Sequence, residues 1–153
     1  NMTPEAELLL MNASRAQLVR EVIRPRLEQG CVVLCDRFHD STVVYQGYGR
    51  QLDLESVRAV IHHAVGETQP DITLLLRVPV SVSEERRRAR EESEPTQRDR
   101  FEEADREFFE RVEAGYDQIA ASEPERIRTI DATKSVDEIQ AEIRSEIGPL
   151  LSP

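Results

Sequence analysis

The sequence predicts a parallel α/β fold, a sheet whose strands are enclosed by flanking helices. Three apolar runs point to it, residues 31–35, 72–78 and 127–130, and the first, Cys-Val-Val-Leu-Cys, is continuous rather than alternating. Strands covered on both faces read this way, and they belong to parallel sheets. Segments of helical period separate the runs, and strands alternating with helices imply right-handed crossovers.

Thr3 followed by Pro4 opens the first helix, a hydroxyl cap and then a proline where no amide donor is needed. Leu9, Leu10, Ala13, Ala16, Val19, Ile23 and Leu27 keep helical spacing, Pro25 should kink the last turns, and Gly30 should end them. The strand at 31–35 leads into Asp36 and Arg37. A helix over 41–48 should dissolve into Gly47-Tyr48-Gly49-Arg50, after which Asp53 caps a helix reaching about Val65, stopped by Gly66. The strand at 72–78 precedes Pro79. A helix over 81–91, a polar loop over 92–97 and a long helix over 98–121 follow, the last with Phe101, Phe108, Val112, Tyr116 and Ile119 on one side. After the strand at 127–130, Ser135 and Glu138 form a capping box for a final helix ending near Ile147. At 153 residues the chain suits one domain, 1–153, with its own core.

The formal charge is −10 and Lys134 is the sole lysine, so the basic residues are nearly all arginine. A surface this acidic repels a nucleic-acid backbone. The arginines cluster between Arg86 and Arg100, which suits a small anionic ligand better than a polymer. Apolar residues make up 39% and charged residues 33%, as expected of a cytoplasmic protein. No apolar run approaches the ~18 residues of a membrane span, and NMTPEAELLL has no signal-peptide pattern. Cys31 and Cys35, on one strand face roughly 13 Å apart, are too distant for a disulfide and read as buried structural thiols. With His39, His62 and His63 they make no metal spacing.

Two patterns could carry chemistry. Asp36-Arg37-Phe38 leaves the end of a strand, where ligands sit in such sheets, and is followed by Ser41, Thr42, Tyr45 and Gln46. A carboxylate there can hold magnesium, and the arginine fork matches phosphate oxygens; an Asp–Arg pair can also simply close a turn. The second pattern is Arg86, Arg87, Arg88 and Arg90, then Arg98 and Arg100. Arginines on a mobile lid can stabilise charge on a transferred phosphoryl group; with Glu84, Glu85, Glu91 and Glu92 they can equally form a solvated helix face.

The stretch DRFHDSTVVYQGYGR resembles the strand-end motif of thymidylate kinases, Asp-Arg-aromatic-x-x-Ser-x-x-Ala-Tyr-Gln-Gly, with Val44 in place of the usual alanine. ASRAQLVREVIRP, DRFEEADREFFERVEAGY and the IDAT at the third strand's end resemble other family elements in the same order, from about Thr3 to about Ile147. The resemblance implies a P-loop NTPase-type parallel sheet with flanking helices, three of the family's five strands being visible. It implies ATP-dependent phosphorylation of dTMP to dTDP with Mg2+, and commonly a homodimer. Arg15 would bind the thymine edge, with Thr42 near the base. Arg37 would bind the dTMP phosphate and Asp36 would stand in the magnesium shell, directly or through water. Tyr45 would lie under the deoxyribose, with Ser41 and Gln46 completing the pocket. Met11 replaces the family's base-stacking phenylalanine, a role Phe38 could take over. Residues about 86–100 correspond to the lid, where Arg86, Arg88, Arg90 and Arg98 would face ATP. Phe101 and Glu102 would lie near the acceptor, and Thr133 and Lys134 would border adenine.

No Gly-x-x-x-x-Gly-Lys-[Ser/Thr] occurs in these residues. The family carries that loop on a first strand lying between those matching 31–35 and 72–78. The expectation is therefore a truncated kinase or incomplete sequence, with little or no activity if the chain is complete. The alternatives are a noncatalytic nucleotide-binding or assembly module of the same fold, and a kinase for another nucleoside monophosphate.

Overall fold

A computed structural model describes residues 2–93 and 106–151, without the side chains of residues 87 and 90–93. The chain divides into two compact units, Asn1–Pro70 and Asp71–Pro153.

The first unit opens with α1 (Pro4–Leu18), where Thr3 Oγ1 accepts from the Ala6 amide at 3.3 Å. The helix does not run on unchanged to residue 30. It widens into a π-helical stretch, Val19–Ile23, and resumes as α2 (Arg24–Glu28). Pro25 has no amide for an earlier carbonyl and its ring crowds the preceding turn; adding a residue to that turn accommodates both. Gly30, at φ +75°, ends the helix as expected. The buried face differs from the apolar pattern. Leu8, Val19 and Ile23 point inward together with Glu7 and Asn12, while Leu9, Leu10, Leu18, Val22 and Leu27 are exposed. Polar side chains hold inward positions because they find partners there.

Residues 31–35 carry no regular secondary structure and are not a strand, a correction to the expected three-stranded reading. Among the described residues no neighbour completes a ladder beside them, and a strand exists only through such pairing. Val32 is 76% and Leu34 96% exposed. Cys31 is likewise exposed and Cys35 half-buried, both as free thiols, so neither is the buried structural cysteine expected.

The next helix, α3 (His39–Thr42), passes directly into a π-helix, Val43–Gly49. It was expected to dissolve at Gly47; instead the turns hold, and the Arg50 amide closes on the Tyr45 carbonyl at 2.9 Å. A Cβ on Gly47 would lie 2.5 Å from Leu54 Cδ2, so a larger residue there requires the Leu54 side chain to shift. Leu54 begins α4 (Leu54–Val65), capped by Asp53 accepting from the Ser56 amide at 2.8 Å. Val57, Ile61, Ala64 and Val65 form its buried face against α1 and the π-helix. Gly66 ends it at φ 56°, ψ −135°, a conformation that essentially only glycine reaches. Arg24 bonds Thr68 Oγ1 at 2.8 Å and the Val65 carbonyl at 2.9 Å, and a Cβ on Gly66 would sit 3.0 Å from its Nη2. Gly66→Ala is therefore expected to lower stability by about 2 kcal/mol, read as a lower urea midpoint with an unchanged slope.

In the second unit β1 (Thr73–Arg77) pairs in parallel with a later strand, β2 (Ile127–Asp131), Thr73 opposite Ile127 and Arg77 opposite Asp131. A parallel pair needs a long crossover, and α5 (Val80–Ser93) and α6 (Arg106–Ser122) lie on it. The core is built from Phe108, Val112, Ile119, Ile127 and Ile130. Within this unit β1 is less covered than its composition suggests, Leu76 being exposed. The expected helix start at 98 lies outside the described residues. The final helix, α7 (Val136–Leu151), has the foreseen capping box, Ser135 N–H to Glu138 Oε2 at 3.0 Å and Glu138 N–H to Ser135 Oγ at 3.4 Å. It continues past Ile147 through Pro149.

At the end of β1, Arg77 donates to both carboxylate oxygens of Asp117 on α6, at 2.6 and 2.7 Å, and reaches Glu113 at 3.2 Å. Hydrogen bonding from Arg77 holds the Asp117 carboxyl below its ordinary range, against the opposing effect of burial. A carboxylate depressed by folding stabilises above its unfolded pKa and loses that contribution as pH falls through its folded value. The melting temperature of Arg77→Ala should thus lie below that of the wild type at pH 7, and the gap should close as pH falls below about 4.

Candidate functional site

The expected acceptor residues come from two elements of the first unit, α1 and the 36–50 segment. Arg15 joins them. Its Nη1 donates to Thr42 Oγ1 at 2.8 Å and to Asn12 Oδ1 at 3.2 Å, and its Nη2 donates to the Phe38 carbonyl at 3.1 Å. The guanidinium also lies 5.7 Å from the centre of the Phe38 ring. Burial lowers the pKa of Arg15, opposed by the charges of Cys35 and Asp40. The guanidinium is therefore only partly hydrated and fixed in direction, a good donor to a neutral carbonyl edge. Burial also pushes the Cys35 thiol up, with Arg15 pulling against it.

Arg37, just after residues 31–36, stands at φ +64°, one of two non-glycine residues with positive φ among those described. Strain of this kind clusters at functional sites. Its guanidinium stacks over the Tyr45 ring, 4.4 Å from the centroid. The side chain is exposed, so its fork is accessible to an anion while the ring fixes its plane. Asp36 is exposed beside it and Ser41 is half-buried. Met11 is exposed on α1.

Four residues given no role in the sequence reading, Glu7, Asn12, Asp40 and Arg50, hold this arrangement together with Gln46. Glu7, on α1, accepts from Gln46 Nε2 at 2.7 Å and from Arg50 Nη2 at 3.3 Å. Gln46, expected in the substrate pocket, is 2% exposed with its amide directed at Glu7. Asn12 donates to the Leu8 carbonyl at 2.8 Å and accepts from Arg15. Asp40 is buried beside His39, Nδ1 to Oδ1 being 3.4 Å. His39 is therefore buried and paired, while His62 and His63 are exposed. The available signal was the stripe Leu8, Asn12, Arg15, Val19, Ile23, which keeps helical spacing while passing through polar residues.

The expected ATP residues that are described belong to the second unit. Arg86 on α5 donates to the Ala132 carbonyl at 3.0 Å, next to Thr133. Asp131, at the end of β2, accepts from the Thr133 hydroxyl at 2.6 Å and amide at 3.0 Å, which holds its carboxyl below the usual range. Lys134 pairs with Glu142 at 2.8 Å, and Arg88 is exposed. Arg98, Phe101, Glu102 and the side chain of Arg90 lie outside the described residues.

The family model for thymidylate kinase matches residues 1–143. The chain is 43% identical to a thymidylate kinase of Roseiflexus sp. (strain RS-1), over 99% of this chain and 70% of that protein. It is 47% identical to one of Desulfovibrio desulfuricans, over 98% of this chain and 70% of that protein. The chain belongs to the thymidylate kinase family. Its fold is the family's P-loop NTPase-like α/β fold. A crystal structure of the thymidylate kinase from Ehrlichia chaffeensis superposes with a TM-score of 0.72 at 26% identity, covering 96% of this chain and 66% of that one. The residues of this family member that meet in space, Arg15 with Thr42 and Phe38, and Arg37 with Tyr45, come from two of the blocks that resemble the family. Among the described residues no three His, Cys, Asp or Glu side chains gather as a metal site. No described helix is long and apolar enough to cross a membrane.

Proposed function

We propose that this chain is a dTMP kinase domain whose first unit binds the acceptor nucleotide. In the reaction a dTMP phosphate oxygen attacks the γ-phosphorus of ATP, the bond to the β-phosphate oxygen breaks, and dTDP and ADP leave. The observation that supports this reading is the pairing of two arginines with different surroundings. Arg15, partly buried among neutral acceptors, suits a pyrimidine carbonyl; Arg37, exposed and planar on Tyr45, suits a phosphate. Tyr45 lies under the sugar and disfavours a 2′-hydroxyl by shape, with Thr42 and Phe38 bounding the base and Ser41 completing the wall.

Magnesium fits the donors present. It binds through one or two carboxylates and substrate phosphates while keeping several waters, so Asp36 alone, beside the phosphate arginine, meets its need. The ion would offset charge on the transferred group. Since the acceptor phosphate is already an anionic nucleophile, the protein's own residues mainly orient it and exclude water. Arg86 and Arg88 on α5 belong to the lid, and Thr133 and Lys134 border adenine. The exposed Leu9, Leu10 and Leu18 on α1 and Val22 in the π-helical stretch after it support a homodimer interface, and the protein works in the cytoplasm.

Calorimetric titration with dTMP, dUMP, UMP and AMP tests the acceptor assignment. dTMP is expected to bind at least tenfold more tightly than UMP or AMP, the range that one well-placed contact supplies. A preference for AMP contradicts the assignment. Because the 153 residues contain no Gly-x-x-x-x-Gly-Lys-[Ser/Thr] sequence, the chain expressed by itself is expected to bind dTMP but to turn it over little or not at all.

A further inference from the structure

We infer that Glu7 is a positioning residue for the acceptor site, acting through Gln46 and Arg50 on the helix that carries Thr42 and Tyr45; the inference rests on the dTMP-binding reading above. The side chain of Glu7 is 3% exposed, yet it is a carboxylate on the face of α1 and the π-helical stretch after it that also turns Leu8, Asn12, Val19 and Ile23 inward. Burying a carboxylate is costly unless it is paired and hydrogen-bonded. Here both needs are met by a single segment. Gln46 Nε2 reaches Glu7 Oε1 at 2.7 Å, and Arg50 reaches the same carboxylate through Nε at 3.4 Å and Nη2 at 3.3 Å.

The other grip on that segment is Arg15, eight residues further along α1, which holds Thr42 Oγ1 and the Phe38 carbonyl. At 1.5 Å per residue the two holds are about 12 Å apart along the helix. The segment between them is the π-helix Val43–Gly49, whose hydrogen bonding is less favourable than that of an α-helix. A π-turn places its side chains on a different face from an α-turn, so the direction of Tyr45 depends on the wider turn persisting. The carboxylate at one end and the guanidinium at the other keep it wide. The residue next to Gln46 is Tyr45, on which Arg37 stacks. Glu7 thereby sets the plane of the phosphate arginine without touching the ligand.

The test is dTMP affinity by calorimetry for wild type, Glu7→Gln, Arg50→Gln and Arg24→Ala, each below its melting transition as followed by circular dichroism. Arg24 anchors α2 to Thr68 and Val65 outside the site, so Arg24→Ala measures the effect of lost stability alone. Glu7→Gln is expected to bind dTMP about tenfold more weakly, and Arg50→Gln about threefold more weakly, while Arg24→Ala keeps wild-type affinity at reduced stability. Should Glu7→Gln not fold, Arg50→Gln carries the result. Unchanged affinity in the folded Glu7→Gln protein, or in Arg50→Gln if that is the variant read, overturns the inference while leaving the dTMP site standing. Wild-type protein that does not bind dTMP overturns the site reading and this inference with it.

Discussion

Arg37→Ala is expected to weaken dTMP binding about a hundredfold while leaving the fold intact. A hydrogen bond to a charged group is worth about 1.5–3 kcal/mol, and about 1.4 kcal/mol is a factor of ten. An arginine fork makes two such bonds to one phosphate. The fold should tolerate the change because the side chain is exposed and its described contact is the face of Tyr45. Arg37→Lys keeps the charge but loses the fork and the flat stacking surface, so about a tenfold loss is expected. Arg37→Gly, which relaxes the +64° backbone, should be at least as stable as Arg37→Ala and bind no better. Titration calorimetry with urea denaturation on the same samples separates the two effects. Binding of Arg37→Ala within threefold of wild type contradicts the role.

The second large effect is expected at Arg15, where function and structure cannot be removed separately. Arg15→Ala deletes donors to Thr42 Oγ1 and the Phe38 carbonyl, two contacts joining α1 to the next segment. At about 1 kcal/mol for each bond, stability should fall by about 2 kcal/mol. dTMP affinity should fall about thirtyfold as well, because the base loses a donor and Thr42 its orientation. Arg15→Lys should recover part of the stability and little of the affinity, since one ammonium cannot span both acceptors in the arginine's fork geometry. A stability loss with unchanged dTMP affinity makes Arg15 a strut between helices and removes it from the site.

The parts legible in the sequence were those set by local chemistry. Thr3, Asp53, Gly66 and the Ser135–Glu138 box each mark a helix end where the backbone has one, because capping depends on a few adjacent atoms. The family pattern assigned Arg15, Thr42, Arg37 and Tyr45 to one site; that Arg15 bonds Thr42 and Arg37 stacks on Tyr45 was legible only in the structure. What failed depended on neighbours. Residues 31–35 have the composition of a buried strand, but pairing is a property of two segments, and the described residues supply no second one. The face of α1 was assigned to its leucines; the structure turns Glu7 and Asn12 inward, and an inward carboxylate can be anticipated only if Gln46 and Arg50 are known to meet it. The π-helical turns at 19–23 and 43–49 were not foreseen either, since apolar spacing does not distinguish them from α-turns over so short a length.

In the proposed complex one guanidinium holds the base and the other the phosphate of the same pyrimidine nucleotide. The decisive experiment is a crystal structure of the protein with dTMP. A thymine carbonyl oxygen is expected within hydrogen-bond distance of Arg15, with phosphate oxygens on Arg37 and the deoxyribose over Tyr45. A nucleotide bound with its phosphate at Arg15, or away from both arginines, contradicts that arrangement.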